Sequence, residues 1–501
     1  MTSVNEKAMS SDANACSGLS KIDDGIPIAS LNPEDEKKLV RKIDFHLIPI
    51  MFILYFFQYI DKTSLGYTAI MGLKVDAHLK GQEYSWVSSF FYVGFLVASP
   101  IASVFLVKFP VGRVVSNTVL LWGTVLMCMA ASKSFAGLSV LRILLGGLEA
   151  AINPGFTILT AMWYKPSEHA LRHGLWYGGA PIAMTFGGLL SYAINHITIG
   201  MAPWKWLFVL FGAATFLWGI VMLIFLPDSP QHARFLGPEE RRQAFARVQG
   251  EQHSAYTRKW NNAQVVEALI DPKSWLLCFL AFFLCLPGGG LGSFGSIILQ
   301  GFGFSTFETL LLGMSQGAFM FIFLVFTVTW SVKFRNGRCI SIAICQIFSL
   351  IGCLMIKYIP PHNKIGRLAG LWLIGAYASA TPTIMSLISS NVIGYTKKAV
   401  VGGMFFVAFC AGYIVGPQTM LSHEAPGYET GFSVMVACFV LNPVLVMVLR
   451  QVMDFTNKKR DREAAGTDTL SRENVAETEG ALAQIELDET DWQNKRIRYE
   501  L

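Results

Sequence analysis

The sequence predicts an all-α membrane protein of twelve transmembrane helices, arranged as two pseudo-symmetric six-helix bundles, and three observations carry that prediction. Of 501 residues, 53% are hydrophobic and 15% charged, with a mean hydropathy of +0.45, which is more apolar surface than a soluble core can hide. Mostly apolar runs of about 20 residues, the length a helix needs to cross a bilayer, recur between short polar turns. The heptapeptide VKFPVGR at 107–113 returns as VKFRNGR at 332–338, 225 positions later.

Six runs come first, at roughly 45–70, 86–107, 114–131, 138–164, 175–196 and 206–226. A polar stretch containing PEERRQAFARVQGEQHSAYTRKWNN then interrupts the series. Six more follow, at roughly 275–299, 310–332, 339–356, 368–393, 399–421 and 432–449. The chain thus divides into a tail at 1–43, a bundle at 44–226, a central loop at 227–273, a second bundle at 274–452 and a tail at 453–501. Both tails lack apolar periodicity and read as disordered. The first forty or so residues are too polar for a cleavable signal peptide.

Each copy of the heptapeptide falls between the second and third span of its own half, so the chain reads as a duplicated bundle. Parallel six-helix halves with a substrate site where they meet are a design of secondary transporters. The plainer alternative is that short basic turns between membrane helices resemble one another. Lys and Arg gather in EDEKKLVRK, the two repeated turns, WYKPSEHALRHG, the central loop, GYTKKAV and NKKRDR, which places both termini in the cytosol. KYIPPHNKIGR is the one outer loop that departs from this bias. The net charge of +6 is therefore a topology signal, and no nucleic-acid partner is expected. Nine cysteines form no CxxC pair, so neither a metal site nor a disulfide framework is expected, and no cofactor is expected either.

A charged side chain in hydrocarbon is costly and is a functional candidate by default. Arg142, Gly146, Glu149 and Asn153 recur at three- and four-residue steps, putting a cation, a small residue, an acid and an amide on one helical face toward the central cavity. Seven residues separate Arg142 from Glu149, roughly 10 Å along the axis at about 1.5 Å each. In the functional reading Arg142 neutralises an anionic substrate group, which a guanidinium can grip through two parallel hydrogen bonds, while Glu149 takes up and releases a proton. In the structural reading Arg142 merely pairs with Asp61 or Glu149 so that all can be buried. Pro154 and Gly155 should bend the helix just past the acid. Adjacent Asp61 and Lys62 point about 100° apart, so at most one faces the cavity. His46 reads as an interfacial histidine, and Lys397 with Lys398 as a topology anchor at the inner leaflet.

Residues 290–295, GLGSFG, match GxGxxG literally but lie inside an apolar run, without the βαβ context dinucleotide binding requires. Pro287 and the glycines after it suggest a broken seventh helix instead. No GxxxxGK[ST] occurs, so ATP-driven pumping is unsupported.

RILLGGLEAAINPGF, WYKPSEHALRHGLWYGGAPIAMTFGGLLSY, WKWLFVLFG leading to LPDSP, and in the second half NVIGYTKKAVVGGMFFVAFCAGYIVGPQ, EAPGYETGF and DETDWQNKRIRYEL together resemble the major facilitator superfamily, and within it the fungal allantoate permease family of anion:cation symporters. The resemblance implies a monomeric alternating-access carrier of small organic anions or vitamins, coupled to protons, in a fungal membrane, with the plasma membrane expected. Substrate contacts are expected at Arg142, Asn153, Asp61 and Lys62 from their place in the spans, and at Tyr413, which stands where relatives commonly have Asn. Rocking of one bundle against the other would put the basic turns at the cytoplasmic closure, so conformational roles are expected for Lys108, Gly112, Arg113, Lys333, Gly337 and Arg338. Neither turn carries the acidic residue usual before Arg-x-Gly-Arg, so Arg113 and Arg338 are expected to find other partners, such as helix C-termini. Two other readings remain open from the sequence: export of a secondary metabolite, and a non-transporting nutrient sensor. An enzyme is not expected.

Overall fold

The computed structural model describes residues 33–197, 199–252, 261–334, 336–468, 490–495 and 497–501, and the described residues are mostly helical with no strand among them. Eleven helices are each long and apolar enough to cross a membrane. The twelfth crossing, fifth in order, is divided into Pro166–Tyr177 and Gly179–Asn195. Proline accounts for this break: Pro181 has no N–H to offer the carbonyl of Tyr177, and the helix yields there. The same offset of four recurs where the fourth span parts at Ala150 and Ala151 between Phe135–Glu149 and Ile152–Trp163, since Pro154 leaves the Ala150 carbonyl without an i+4 donor. The tenth span relaxes into a 3-10 turn at Gly375–Ala380, just ahead of Pro382.

The seventh span departs from expectation. Pro287 sits within an uninterrupted helix, Pro272–Gly301, so this helix is not broken. Its apolar, small-residue surface serves a close crossing with the eleventh span, Tyr395–Val415. A Cβ on Gly416 would lie 2.2 Å from the Leu286 carbonyl oxygen, and one on Gly412 2.6 Å from that of Phe282. Backbone contact along this line braces the helix on either side of its proline.

The repeated heptapeptides adopt corresponding turns. The second span, Glu83–Lys108, and the eighth, Thr306–Lys333, both end at the lysine, and the next residue is extended: Phe109 at φ −122° and ψ 160°, Phe334 at φ −105° and ψ 116°. The arginines do not rest on helix C-termini as expected, because carboxylates reach them first. Arg113 Nε lies 3.1 Å from Asp228, just past the sixth span, Pro203–Phe225, and Arg338 Nη1 lies 2.5 Å from Glu500. Lys397 is a second correction. It is fully buried and ion-paired with Glu267, Asp271 and Asp491, so it is a packed structural charge and no leaflet anchor. The last helix, Glu429–Asp468, runs beyond the expected start of the tail at 453, and residues 490–495 and 497–501 return to dock on the second half. The first helix likewise starts at Pro33, inside the tail expected to be disordered, and the expectation of disorder for 1–32 and 469–489 falls outside the described residues.

At the end where the first helix begins, the central segment 238–252 ties down the first half: Arg247 bonds Glu36 at 2.8 Å and also Glu168, while Lys42 reaches Glu240 at 2.6 Å. Arg172 grips Asp44 through two bonds, 3.2 and 2.9 Å, linking the fifth span to the first. At the far end the halves join directly. Tyr84 donates to the Ser293 carbonyl at 2.7 Å, Ser89 to that of Ile414 at 2.7 Å, and Gln418 to Ser89 at 3.0 Å. Ser422 donates to the Gly81 carbonyl at 2.5 Å.

Candidate functional site

The fourth span is set tightly against the second by glycine. A Cβ on Gly146 would lie 1.8 Å from the Phe91 carbonyl oxygen, and one on Gly94 2.0 Å from that of Ile143. Backbone-to-backbone packing of this kind fixes the rotation of the fourth span, and with it the direction of Arg142.

A cavity of about 120 Å³ opens between the halves, lined from the first by Tyr59, Lys62, Tyr92 and Arg142 and from the second by Gly288, Gln316, Tyr377 and Tyr413. Arg142 is 2% exposed, and its Nε and Nη2 have no hydrogen-bond partner. Among the described residues it forms no ion pair with Asp61 or Glu149, so the structural pairing weighed from the sequence is not what is seen. Glu149 instead lies behind the wall, fully buried, receiving a bond from Gln58 at 3.0 Å with the Lys62 ammonium 3.4 Å away. That ammonium also sits 5.7 and 5.8 Å from the ring centroids of Phe91 and Phe95.

Of the adjacent pair, Lys62 lines the cavity and Asp61 does not; Thr215 of the sixth span donates to Asp61 Oδ2 at 3.5 Å, while Oδ1 is unpartnered. Tyr413 is on the wall, its ring stacked on Tyr92 at 4.3 Å. Asn153 lies past the break in the fourth span, half-buried, with Oδ1 unpartnered, and is not among the cavity residues. Pro154 sits half-buried beside it, and a Cβ on Gly155 would meet Val115 at 2.6 Å, so Gly155 packs on the third span, Val111–Met129. Lys108 and Lys333 are exposed. Gly112 is buried against Asp228, whose Oδ1 would be 2.9 Å from an added Cβ, and Gly337 caps the ninth span, Arg338–Tyr358.

The four membrane charges thus separate by layer: both cations touch the cavity and both carboxylates stand behind it. With Lys62 beside Glu149, Arg142 remains the uncompensated charge at the wall, and a buried unpaired guanidinium is costly until an anion meets it. The opposite wall is neutral. The hydroxyls of Tyr377 and Tyr413 each lie 3.1 Å from where a Cβ on Gly288 would stand, so a side chain there would fill the space the hydroxyls share. Sequence reasoning missed Gln316, Tyr377, Tyr59 and Tyr92, because an uncharged polar or aromatic residue in an apolar helix carries no signal of cost. Gln58 had one: it stands four residues before Lys62, on the same helical face. Among the described residues no group of three His, Cys, Asp or Glu could hold a metal ion.

The Major Facilitator Superfamily model matches residues 51–417. An uncharacterized transporter of Schizosaccharomyces pombe is 35% identical, covering 94% of this chain and 91% of its own. The allantoate permease of Saccharomyces cerevisiae is 32% identical over 96% of this chain and 90% of its own. A bacterial homolog of the human lysosomal transporter Spinster, crystallised inward-facing and unoccupied, shares the fold with a TM-score of 0.56 at 14% identity, over 81% of this chain and 95% of that one. The chain belongs to the Major Facilitator Superfamily, in the branch that includes the yeast allantoate permease, and it is a multi-pass membrane transporter rather than an enzyme.

Proposed function

We propose that the chain carries a small organic anion with a neutral, hydrogen-bonding far end across the membrane by alternating access, driven by proton symport. The observation that carries this reading is the buried Arg142 guanidinium, with Nε and Nη2 unpartnered, on the wall of the central cavity. Arg142 takes the anionic group, and Gln316 with the Tyr377 and Tyr413 hydroxyls takes the neutral end. Glu149 exchanges the proton through its contact with Lys62, whose ammonium loses its counter-ion when the carboxylate is protonated and is then free to turn toward substrate. The resemblance to the allantoate permease supports a substrate of ureido-acid or related metabolite character. With the termini in the cytosol, the hydrogen bonds at the far end close the outside, and the cavity serves the inward-facing half of the cycle.

Uptake of labelled monocarboxylates, allantoate among them, into proteoliposomes with and without a proton gradient tests the proposal. Arg142→Gln removes one member of a buried charge pair, worth roughly 2–5 kcal/mol of substrate binding, so half-saturation should rise at least about 30-fold. Arg142→Lys should recover part of it. Undiminished affinity in Arg142→Gln would rule out the guanidinium as the anion site.

A further inference from the structure

The end of the chain occupies a built receptor on the termini face of the second half. Asp491 is its centre: fully buried, it takes Lys397 Nζ on Oδ1 at 2.7 Å and Lys273 Nζ on Oδ2, and the Tyr499 hydroxyl donates to Oδ2 at 2.6 Å. The Lys273 ammonium also stands 3.8 Å from the centroid of the Tyr499 ring. Around this core the receptor reads backbone. The Asn457 side chain accepts from the Tyr499 N–H at 2.8 Å and donates to its carbonyl at 2.9 Å, and Asn391 does the same for Glu500 at 2.7 and 2.9 Å. Arg460 donates to the carbonyls of Ile497 at 2.8 Å and Asp491 at 2.5 Å. Tyr499 and Leu501 are buried in an apolar cluster with Leu277, Cys339, Ile388 and Val401.

These partners come from different spans: Lys273 from the seventh, Arg338 from the ninth, Asn391 from the tenth, Lys397 from the eleventh, and Asn457 with Arg460 from the twelfth. One short segment therefore bridges five of the six helix ends of its half, and the hydrogen bonds it makes among the described residues stay within that half and the helix Asn262–Ile270 that leads into it. Gly394, at φ +102°, makes room for it: an added Cβ would lie 3.0 Å from both Thr490 Cγ2 and Gln264 Oε1.

We propose that this face is a peptide-binding site whose occupant is the chain's own segment 490–501, and that its occupancy clamps the second half into the single body that alternating access requires. Asp491 supplies the charge, Tyr499 and Leu501 the apolar anchors, and the asparagines the register. The assignment does not depend on what the transporter carries.

The test uses the purified chain in detergent, with Cys339 as reporter because it is fully buried in the same cluster as Leu501. Removal of 490–501 should raise the maleimide labelling rate of Cys339 by roughly tenfold or more, as a local opening becomes populated, and should lower the melting temperature. A synthetic peptide of residues 490–501 added in trans should restore both, and the same peptide carrying Asp491→Asn and Tyr499→Ala should not. If the truncated chain fails to fold, Asp491→Asn in the full chain serves instead, with faster Cys339 labelling expected. Cys339 labelling unchanged in either variant, or a native peptide that protects no better than the altered one, would overturn the proposal.

Discussion

Arg142 and Glu149 were visible in the sequence because a charge in hydrocarbon is expensive enough to stand out against its neighbours. Their partners were not visible, since helical periodicity sets direction within one span and says nothing of which span faces it. Glu149 meets Lys62 and Gln58 of the first span and leaves Arg142 alone. From this follows a separation of roles: Glu149→Gln should abolish accumulation driven by a proton gradient while retaining substrate counterflow, both read in proteoliposomes. Coupled uptake equal to wild type would leave Glu149 as a structural partner of Lys62. Gln316→Leu should raise half-saturation for substrates with a polar far end by about 5- to 13-fold, in keeping with roughly 1–1.5 kcal/mol for a neutral hydrogen bond, and spare simple alkanoates.

Among the helices, Pro154 announced the bend in the fourth span, because the missing N–H acts locally, and the same local rule accounts for the breaks beside Pro181 and Pro382 that were not read from the sequence. Pro287 shows where that local rule ends, since packing by the eleventh span keeps its helix whole. Glycines divide in the same way. Gly146→Ala would press a methyl onto the Phe91 carbonyl and should destabilise by about 1–3 kcal/mol or prevent folding, whereas Gly402, with nothing within 4 Å, should accept alanine with a gain of up to about 1 kcal/mol; thermal unfolding in detergent compares them. The docked segment predicts a pH window. Burial alone would raise the Asp491 carboxyl, but Lys273 and Lys397 overcome it and hold the group below its ordinary 3.8; burial and the Asp491 charge hold the Tyr499 phenol well above its ordinary 10.0. A depressed acid contributes stability above its unfolded pKa and loses it as pH falls through the folded value, while the raised phenol contributes below about 10 and loses it as pH rises. The protection of the 490–495 and 497–501 amides, taken as exchange relative to their intrinsic base-catalysed rate, should therefore stay high and flat from about pH 5 to 9 and fall only outside those limits.

At the scale of the whole molecule, the halves meet by hydrogen bonds at the end away from the docked segment 497–501, and the proposed alternating access requires that contact to open in each cycle. A short crosslinker joining Ser89→Cys to Gln418→Cys should stop transport while leaving substrate binding from the termini side intact, measured by uptake and by equilibrium binding to the same preparation. Continued uptake after complete crosslinking would show that the far end need not open. Apolar run lengths, the duplicated VKF turn, Pro154 and the costly charges are properties of consecutive residues, so the chain alone determined an all-helical membrane fold of the family's kind and marked the candidate charges within it. Which side chains answer one another was decided only by tertiary structure: Lys62 for Glu149, a buried Asp491 for Lys397, Asp228 and Glu500 for the arginines of the repeated turns. The physical reason is that these pairs join segments far apart in the chain, so no local pattern of consecutive residues announces them.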